Sequence, residues 1–388
     1  MVYPEHFINI ARKNLQINKI SMRSNELLYT LALQNVSNIG DITAKKLIHQ
    51  CGSAEAVFSE KKHKLQKIDG IGTVILADLF SKDHLVNAEK ELRYIQDNSI
   101  VYHFFQDEDY PEKLKHCIDG PILLFQRGKI KLKKKRIISI VGTRQITTYG
   151  SEFCKKLVQE LKPYNPVIVS GFAYGTDITA QKEAIKQGLQ TIGCLAHGLN
   201  QVYPKTHAKY MKPIEENGGF FTDFWSSATF DRTNFLKRNR IIAGLSEATI
   251  VIESAEKGGS LVTADIADSY NRDVFAVPGR AFDSLSAGCN NLIKQQKAHV
   301  LTHPMDIPYI LDWQLEDFKT KPIQKQLFVE LDETEKKVYH FLKENEKQLL
   351  DVIALNCHLP VFQTASVLLG MELKGVIRPL PGKLFEVI

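Results

Sequence analysis

The clearest indication of the fold comes from KKKRIISIVGTRQITTYG, residues 133–150. Its apolar run IISIV is rich in β-branched residues and free of charge, which is typical of a strand buried on both faces of a parallel sheet. Gly142 ends the run, and a glycine at the carboxyl end of such a strand allows a tight turn whose N–H groups approach an anion. A helix that begins near Tyr149 adds its dipole. The stretch therefore predicts half of a nucleotide-binding site.

The other half of a dinucleotide site is missing from this turn. A G-x-G-x-x-G fingerprint needs three closely spaced glycines, whereas residues 142–150 supply G-T-R-Q-I-T-T-Y-G. Arg144 occupies the turn instead, and a guanidinium group suits phosphate because it presents two donors in a fixed fork. The turn is compatible with two kinds of ligand, a small nucleotide or one phosphate of a polymer.

Composition limits the class of protein. With 388 residues, 44% of them hydrophobic and 24% charged, we expect a globular protein of two or three domains. No apolar stretch reaches membrane-spanning length, and the amino terminus lacks a secretory hydrophobic core. The six cysteines form no C-x-x-C pair and the twelve histidines show no ligand spacing. We therefore expect a cytoplasmic protein with no metal, no cofactor and no membrane contact.

Charge is uneven along the chain, although the net charge is only +6. Residues 23–100 hold ten basic and ten acidic side chains, residues 101–315 hold 27 and 22, and residues 329–388 hold seven and nine. Only the middle is basic, and its run RGKIKLKKKR, residues 127–136, places seven cations in ten positions. That run fits a solvated loop and an electrostatic footprint for nucleic acid equally well.

The chain predicts a small helical domain before the basic middle. We treat residues 1–22 as an extension and residues 23–100 as a helix-hairpin-helix or SAM-like domain, because two glycine turns, Ile39-Gly40 and Ile68 to Gly72, each lead into a helical run. Such turns expose N–H groups that can clasp a DNA phosphate. The balanced local charge nevertheless favours a packing module that does not bind DNA.

Residues 101–315 alternate strand-like and helix-like runs, as a doubly wound parallel sheet requires. Three strand-end turns carry donors, at 142–144, 170–171 and 258–260, and the ends of parallel strands meet at the edge where ligands bind. The run KRNR, residues 237–240, adds cations at a predicted helix start. We expect these groups to form a line of donors along one edge.

The residues predict no catalytic machinery. A G-x-S-x-G elbow and a Walker lysine are both absent from the sequence. Glu253, after the strand ATIVI, is the one acidic residue in a catalytic-looking place, and we favour a structural pairing with a neighbouring arginine. We therefore expect a protein that is not an enzyme.

The last part of the chain predicts a second small domain. After a linker at residues 316–328, residues 329–388 show three helical runs and a β-hairpin, a pattern typical of a winged helix. Its predicted recognition helix, PVFQTASVLLGMELKG, carries no Arg or Lys in its first turns. Because a winged helix that binds DNA places cations there, we favour a protein-contact or structural role for this domain.

Seven blocks in order resemble the bacterial DNA-processing protein A family, also called DprA or Smf. The resemblance covers about residues 23–388, and the blocks are VGTRQITTYG, VSGFAYGTD, GLNQVYPKTH, FLKRNRIIAGLS, KGGSLVTADIAD, VFAVPG and GCNNLIKQ. It implies a Rossmann-like domain that forms a homodimer and binds single-stranded DNA in a basic pocket. It also implies a recombination mediator without catalysis, which protects incoming strands and helps to load the recombinase RecA during natural transformation.

Matching the blocks residue by residue gives the expected DNA-binding set. Its members are Gly142, Thr143, Arg144, Ser170, Gly171, Lys205, Lys237, Arg238, Asn239, Arg240, Gly259, Ser260 and Asn290. The sequence departs from the family pattern at Tyr174, Thr176, His207 and Leu236. Those departures concern the shape of the expected pocket and not its polarity.

Single strands need a cationic groove together with faces on which bases stack. Tyr149, Phe172, Tyr174 and Tyr203 lie beside the glycine turns and are our candidates for those faces. The alternative function is a nucleotide-binding phosphoribohydrolase-like enzyme on the same fold, for which Gly-Gly-Ser before a helix and Glu253 would both be useful. Its P-G-G-x-G-T-x-x-E hallmark is not matched by KGGSLVTAD.

Overall fold

The computed structural model describes residues 25–315, 331–380 and 384–387. The chain divides into two compact units, Met1–Trp313 and Gln314–Ile388. The predicted extension at 1–22 and the predicted linker at 316–328 lie outside the described residues. The division of the chain into five parts stays a prediction.

The first unit begins with a helical front. Its helices are α1 over residues 25–35, α2 (Asp41–Cys51), α3 (Ala54–Ser59), α4 (Lys62–Leu65), α5 (Thr73–Leu79) and α6 (Lys82–Asp97). The side chains of Ser53 and Ser81 cap α3 and α6 by accepting backbone N–H bonds from the first turn. Gly40 and Gly72 precede α2 and α5, as the two glycine turns predict.

A nine-stranded sheet follows the helical front. Its strands are β1 (Val101–Phe104), β2 (Leu123–Gly128), β3 (Ile137–Val141), β4 (Val167–Ser170), β5 (Thr191–Cys194), β6 (Gly218–Thr222), β7 (Ala248–Val251), β8 (Asp273–Ala276) and β9 (His299–Val300). The order across the sheet is β1-β2-β6-β5-β4-β3-β7-β8-β9. The strands from β6 to β9 in this order pair in parallel, and β1 and β2 form an antiparallel edge.

Helices cover both faces of the sheet. They are α7 (Glu112–Lys115), α8 (Thr148–Glu160), α9 (Thr176–Gln187), α10 (Ala208–Glu216), α11 (Thr233–Leu245), α12 (Gly259–Ser269), α13 (Ala287–Lys294) and α14 (Asp306–Ile310). Ile137 and Val141 of β3 share a hydrophobic cluster with residues of α11 and α12, whereas Ile138 and Ile140 pack with residues of α8 and α9. This alternation confirms that IISIV is buried on both faces.

The sheet has a topological switch point at β3. From β3 the chain builds β4, β5 and β6 on one side, and then crosses to build β7 and β8 on the other. In an open α/β sheet, ligands bind at such a point, outside the carboxyl ends of the strands. The turns after β3 and β7 therefore face the same crevice.

The second unit is a winged helix, as predicted. It contains α15 (Glu333–Asn345), β10 (Gln348–Leu349), α16 (Leu350–Cys357), α17 (Val361–Leu373), β11 (Ile377–Leu380) and β12 (Leu384–Val387), with strand order β10-β12-β11. Asp332 and Glu335 form a reciprocal capping box at the start of α15. In the described parts of the chain no single helix is long and apolar enough to cross a membrane; only α16 and α17 taken together, bent by 107°, reach that length and composition.

Candidate nucleic-acid interface

A cavity of about 690 Å³ lies at the switch point of the sheet. We call it the switch-point cavity. It is lined by the turn after β3, the segment after β4, the turn after β7 and the inner side of α11. Seven of the thirteen expected residues line it: Gly142, Thr143, Arg144, Arg238, Asn239, Gly259 and Ser260.

The turn after β3 is held rigidly from two sides. Thr143 N donates to the carbonyl oxygen of Glu253 at 2.7 Å, and Thr143 O accepts from Thr176 N at 3.1 Å. A Cβ at Gly142 would overlap Thr176 Oγ1 and lie 3.0 Å from Glu253 O, so only glycine fits there. The turn between β3 and α8 therefore has one conformation, which fixes where Arg144 leaves the backbone.

Arg144 is exposed and stacks on an aromatic ring. Its Cζ atom lies 5.2 Å from the centroid of Phe235, which comes from the first turns of α11. A cation over a ring face is stabilised by roughly 0.5–1 kcal/mol at an exposed site. Arg144 forms no ion pair with any acidic side chain among the described residues. Its guanidinium group is therefore placed and available for an external anion.

The turn after β7 brings a helix start to the cavity. Gly258 precedes the eleven-residue helix α12, and a Cβ at Gly259 would have no atom within 4 Å, so the approach to the first turn of α12 is open. Ser260 is buried and its hydroxyl donates to Ser254 Oγ at 2.9 Å. The helix dipole and the open glycine favour an anion, while the Ser260 hydroxyl braces the turn.

The run KRNR lies in the middle of a helix, contrary to the prediction. Helix α11 begins at Thr233, so residues 237–240 occupy its second turn. Arg238 is only 4% exposed, and its Nη1 donates to Gly171 O at 2.6 Å and to Cys194 O. Asn239 is also buried and reaches Gly259 O at 3.5 Å. Both residues shape the cavity wall from inside the protein.

The side chains of Asp177 and Arg238 both pack against Gly171. A Cβ at Gly171 would lie 2.6 Å from both Asp177 Oδ2 and Arg238 Nη2, so glycine is required at that position. Asp177 Oδ2 accepts from the backbone N–H groups of Gly171 and Ala173 at 3.1 and 3.3 Å. Burial raises the pKa of Asp177 and lowers the pKa of Arg238, and each group opposes the shift of the other.

Arg240 does not face the cavity, which corrects our expectation of a DNA-facing cation. Its guanidinium group pairs with Asp41 at 2.9 Å and with Asp223, and it donates to Asp119 O at 2.5 Å. These partners use its donors and join the helical front to the sheet. Lys237 is exposed beside it but does not line the cavity.

Four other expected residues lie outside the cavity lining. Ser170 is fully buried and donates to Ile140 O at 2.7 Å, which removes its hydroxyl from any ligand. Gly171 is buried against Arg238, as described above. Lys205 is exposed in a short 3₁₀ segment after Pro204. Asn290 exchanges two hydrogen bonds of 3.1 Å with Gly279 and so fixes the loop after β8.

The aromatic faces differ in part from the predicted ones. Tyr203 lines the cavity as expected, but Phe172 is fully buried and offers no face to a base. Tyr149 and Tyr174 are exposed but lie outside the cavity lining. Sequence reasoning missed Phe230 and Phe235, whose rings pack against Tyr203 with centroids 4.8 and 5.6 Å away. These three aromatic side chains form one wall of the cavity.

Arg232 is a second exposed cation in the cavity lining, and no sequence pattern singled it out. It immediately precedes α11, in the irregular segment after β6.

Of the four positions that depart from the family pattern, Leu236 lines the cavity and is 50% exposed, and Thr176 packs against Gly142. His207 is buried, which lowers its pKa, and its Nδ1 lies 3.0 Å from Phe172 O.

Two sequence features have no part in the cavity. The basic run at 127–136 leads into the amino end of β3, whereas the cavity is at the carboxyl end. Glu253 is buried, and its carboxylate accepts from the N–H and the hydroxyl of Thr147 at the start of α8. The carboxylate is therefore bonded within the fold, and its partner is Thr147 and not the arginine that we expected. No cluster of metal-ligating side chains occurs among the described residues.

The fold and this cavity define a class: a Rossmann-like protein whose candidate ligand site lies at the switch point of a mostly parallel sheet. Residues 101–312 match the model of the family described as DNA recombination-mediator protein A, and residues 326–383 match the DprA winged helix domain. The chain therefore belongs to the DNA recombination-mediator protein A family, as the seven blocks indicated.

Two known proteins, one of them matched by both sequence and structure, illustrate the relationship. DNA processing protein DprA of Streptococcus pneumoniae is 36% identical over 201 residues, covering 52% of this chain and 71% of the relative. The X-ray structure of DprA from S. pneumoniae superposes with a TM-score of 0.62 at 30% identity, over 75% of this chain and 98% of that one. A structure of DNA processing protein A from Helicobacter pylori, whose study concerns a single-stranded DNA binding mode, superposes with a TM-score of 0.50 at 29% identity. The superposition covers 55% of this chain and 97% of that one.

Proposed function

We propose that the switch-point cavity binds single-stranded DNA and that the protein acts as a recombination mediator. The observation that carries this proposal is Arg144, an exposed cation stacked on Phe235 between two glycine turns. A phosphate accepts from the guanidinium group and from the start of α12, while Tyr203 and Phe230 offer faces to neighbouring bases. The H. pylori relative, studied for its single-stranded DNA binding, supports the same ligand.

Binding of labelled oligothymidine, measured by fluorescence anisotropy against its duplex at several salt concentrations, tests the proposal. We expect a clear preference for the single strand and an affinity that falls steeply with salt, because cations that contact phosphates release counterions. Equal affinity for both forms, or an affinity that does not depend on salt, would contradict it.

The finer parts of the proposal rest on membership of the family. We propose a homodimer formed through the Rossmann-like domain, which protects incoming strands and helps to load RecA in natural transformation. Sedimentation of the protein alone tests the dimer. Sedimentation of RecA with a labelled single strand, with and without the protein, tests loading, and we expect more RecA on the strand when the protein is present.

We also propose that the protein has no catalytic activity of its own. The alternative, a phosphoribohydrolase, needs an acidic side chain that is free to face a nucleotide in the cavity. The carboxylate of Glu253 is bonded to Thr147. Asp177 lines the cavity, but its Oδ2 accepts from the backbone N–H groups of Gly171 and Ala173. Incubation with AMP separates the two functions, because only the enzyme releases adenine. We expect no adenine above the rate in buffer.

A further inference from the structure

A second cavity, of about 670 Å³, opens in the helical front. We call it the lysine cavity. Its walls are the carboxyl half of α2, the segment from Lys64 to Asp69, and Phe105 and Gln106 after β1. The cationic or titratable bases that line it are Lys45, Lys46, His49, Lys64 and Lys67. It shares no lining residue with the switch-point cavity.

One of these lysines builds the wall. Lys45 Nζ donates to Cys117 O at 3.2 Å and to Ile118 O at 3.3 Å, and it lies 5.7 Å from the centroid of Phe105. Phe105 is half-buried and is the one aromatic side chain among the lining residues of this cavity. The wall is therefore mainly positive, with a single aromatic ring.

The other lysines are held weakly. Lys46 pairs with Asp69 at 3.5 Å, but the Asp69 side chain is 100% exposed. Lys64 pairs with Glu60 at 3.2 Å one helical turn away, and Lys67 has no ion pair among the described residues. Exposed ion pairs of this kind contribute only about 0–1 kcal/mol to stability. A polyanion therefore replaces the acidic partners of these lysines at little cost.

The second glycine turn borders this cavity. Ile68 and Asp69 line it, and Gly70 follows with φ +86° and no atom within 4 Å of a Cβ position. The first glycine turn is committed elsewhere, because Asp41 accepts from Ile122 N at 2.8 Å and pairs with Arg240. Of the two glycine turns, the second is the one whose residues line the lysine cavity.

We propose that the lysine cavity binds the phosphodiester backbone of duplex DNA, as a site separate from the switch-point cavity. Its weakly held cations suit consecutive phosphates, since contacts to the backbone need no sequence information. The switch-point cavity has three aromatic side chains in its wall, whereas this one has a single half-buried ring, Phe105. That difference favours a ligand whose bases are already stacked inside a duplex.

The full-length variant Lys64→Ala/Lys67→Ala tests this site with a blunt-ended labelled duplex, by anisotropy at several salt concentrations. We expect weaker duplex binding and a slope of log affinity against log salt that is shallower by about 1.8, or about 0.9 for each lost phosphate contact. Lys64→Arg/Lys67→Arg keeps both charges and should bind the duplex as the natural protein does.

The matched control is Lys82→Ala/Lys90→Ala, which removes two exposed charges from α6 outside the cavity. Oligothymidine binding reports on the switch-point cavity and should not change in Lys64→Ala/Lys67→Ala or in the control. Conversely, Arg144→Ala should leave duplex binding unchanged. An unchanged duplex affinity in Lys64→Ala/Lys67→Ala, an equal loss in the control, or a loss confined to the single strand would each overturn the proposal.

Discussion

Arg238 donates a hydrogen bond of 2.6 Å to the carbonyl oxygen of Gly171, and the same Nη1 atom donates to Cys194 O. Gly171 follows β4 and Cys194 ends β5, so one buried cation from α11 joins the carboxyl ends of two neighbouring strands. This arrangement fixes the cavity wall before any ligand is present. Arg238 is therefore a positioning residue.

Arg238→Met should destabilise the fold. The change leaves Gly171 O and Cys194 O without their donor, and a buried polar group without a partner costs about 1–3 kcal/mol. The free energy of unfolding, measured with urea, should fall by at least that amount. The control is Lys237→Ala, at the neighbouring exposed position, which should change the free energy of unfolding by no more than about 0.5 kcal/mol. Similar values for the two variants would refute the positioning role.

Arg240→Met should also destabilise the protein, and in a pH-dependent way. It leaves the buried Asp223 carboxylate unpaired, which costs about 3–5 kcal/mol. Burial raises the pKa of Asp223 even with Arg240 present. When the folded-state pKa of a carboxyl group lies above its unfolded-state pKa, its contribution to the stability of the fold is fully present below the unfolded-state pKa. That contribution is lost as the pH rises through the folded-state pKa.

The loss in Arg240→Met should therefore be smaller at mildly acidic pH than at neutral pH. Urea unfolding of the variant and the natural protein at both pH values measures the difference. A loss that is the same at both, or larger in acid, would show that Asp223 is not the group left unpaired.

Phe230→Leu should weaken binding of single-stranded DNA without changing its salt dependence. Phe230 is 50% exposed on the cavity wall, and stacking of one base on an aromatic ring is worth about 1–3 kcal/mol. Leucine keeps the apolar volume but loses the ring, and no charge changes. Phe362→Leu, at an 80% exposed position of the winged helix, is the control. A changed salt slope, or equal effects in both variants, would argue against stacking.

The thiols should be almost unreactive in the folded protein. Burial raises the pKa of Cys154, Cys194 and Cys289 to about 12, so almost no thiolate exists at mildly alkaline pH. Cys51 is the least buried of the six cysteines, all of which are free. Ellman's reagent should detect at most one thiol before unfolding and six after it. Rapid reaction of several thiols in the native state would contradict this packing.

The sheet and its helices were predictable because strands buried on both faces leave few alternatives. Apolar β-branched runs such as IISIV, each ended by Gly or Ser, indicate parallel strands whose ends share one edge. The blocks around Gly142 and Gly259 located the cavity for the same reason. The place of each side chain within that edge depends on packing, which the strand pattern does not contain.

Arg238 shows what a closer analysis of the helix would have found. It precedes Ile241, Ile242 and Leu245 by three, four and seven residues, so it belongs to the buried stripe of α11. Lys237 falls off that stripe and is exposed. Charge alone made the two residues look equivalent.

Phe230 and Arg232 were not predictable in the same way. They lie in the irregular segment between β6 and α11, where no periodic pattern marks an inward side. The equal charge count over residues 23–100 likewise concealed the lysines around one cavity of the helical front. Both features arise from parts of the chain that meet only in the folded protein.

The most direct test of the switch-point cavity compares Arg144→Ala with Arg93→Ala, whose side chain is 75% exposed on α6. Anisotropy of labelled oligothymidine should show weaker binding and a salt slope shallower by about 0.7 for Arg144→Ala only. The free energy of unfolding should fall by no more than about 1 kcal/mol in either variant, the value of the exposed cation–π contact that Arg144→Ala removes. If Arg144→Ala binds the strand with the affinity and slope of the natural protein, the cavity is not the single-strand site.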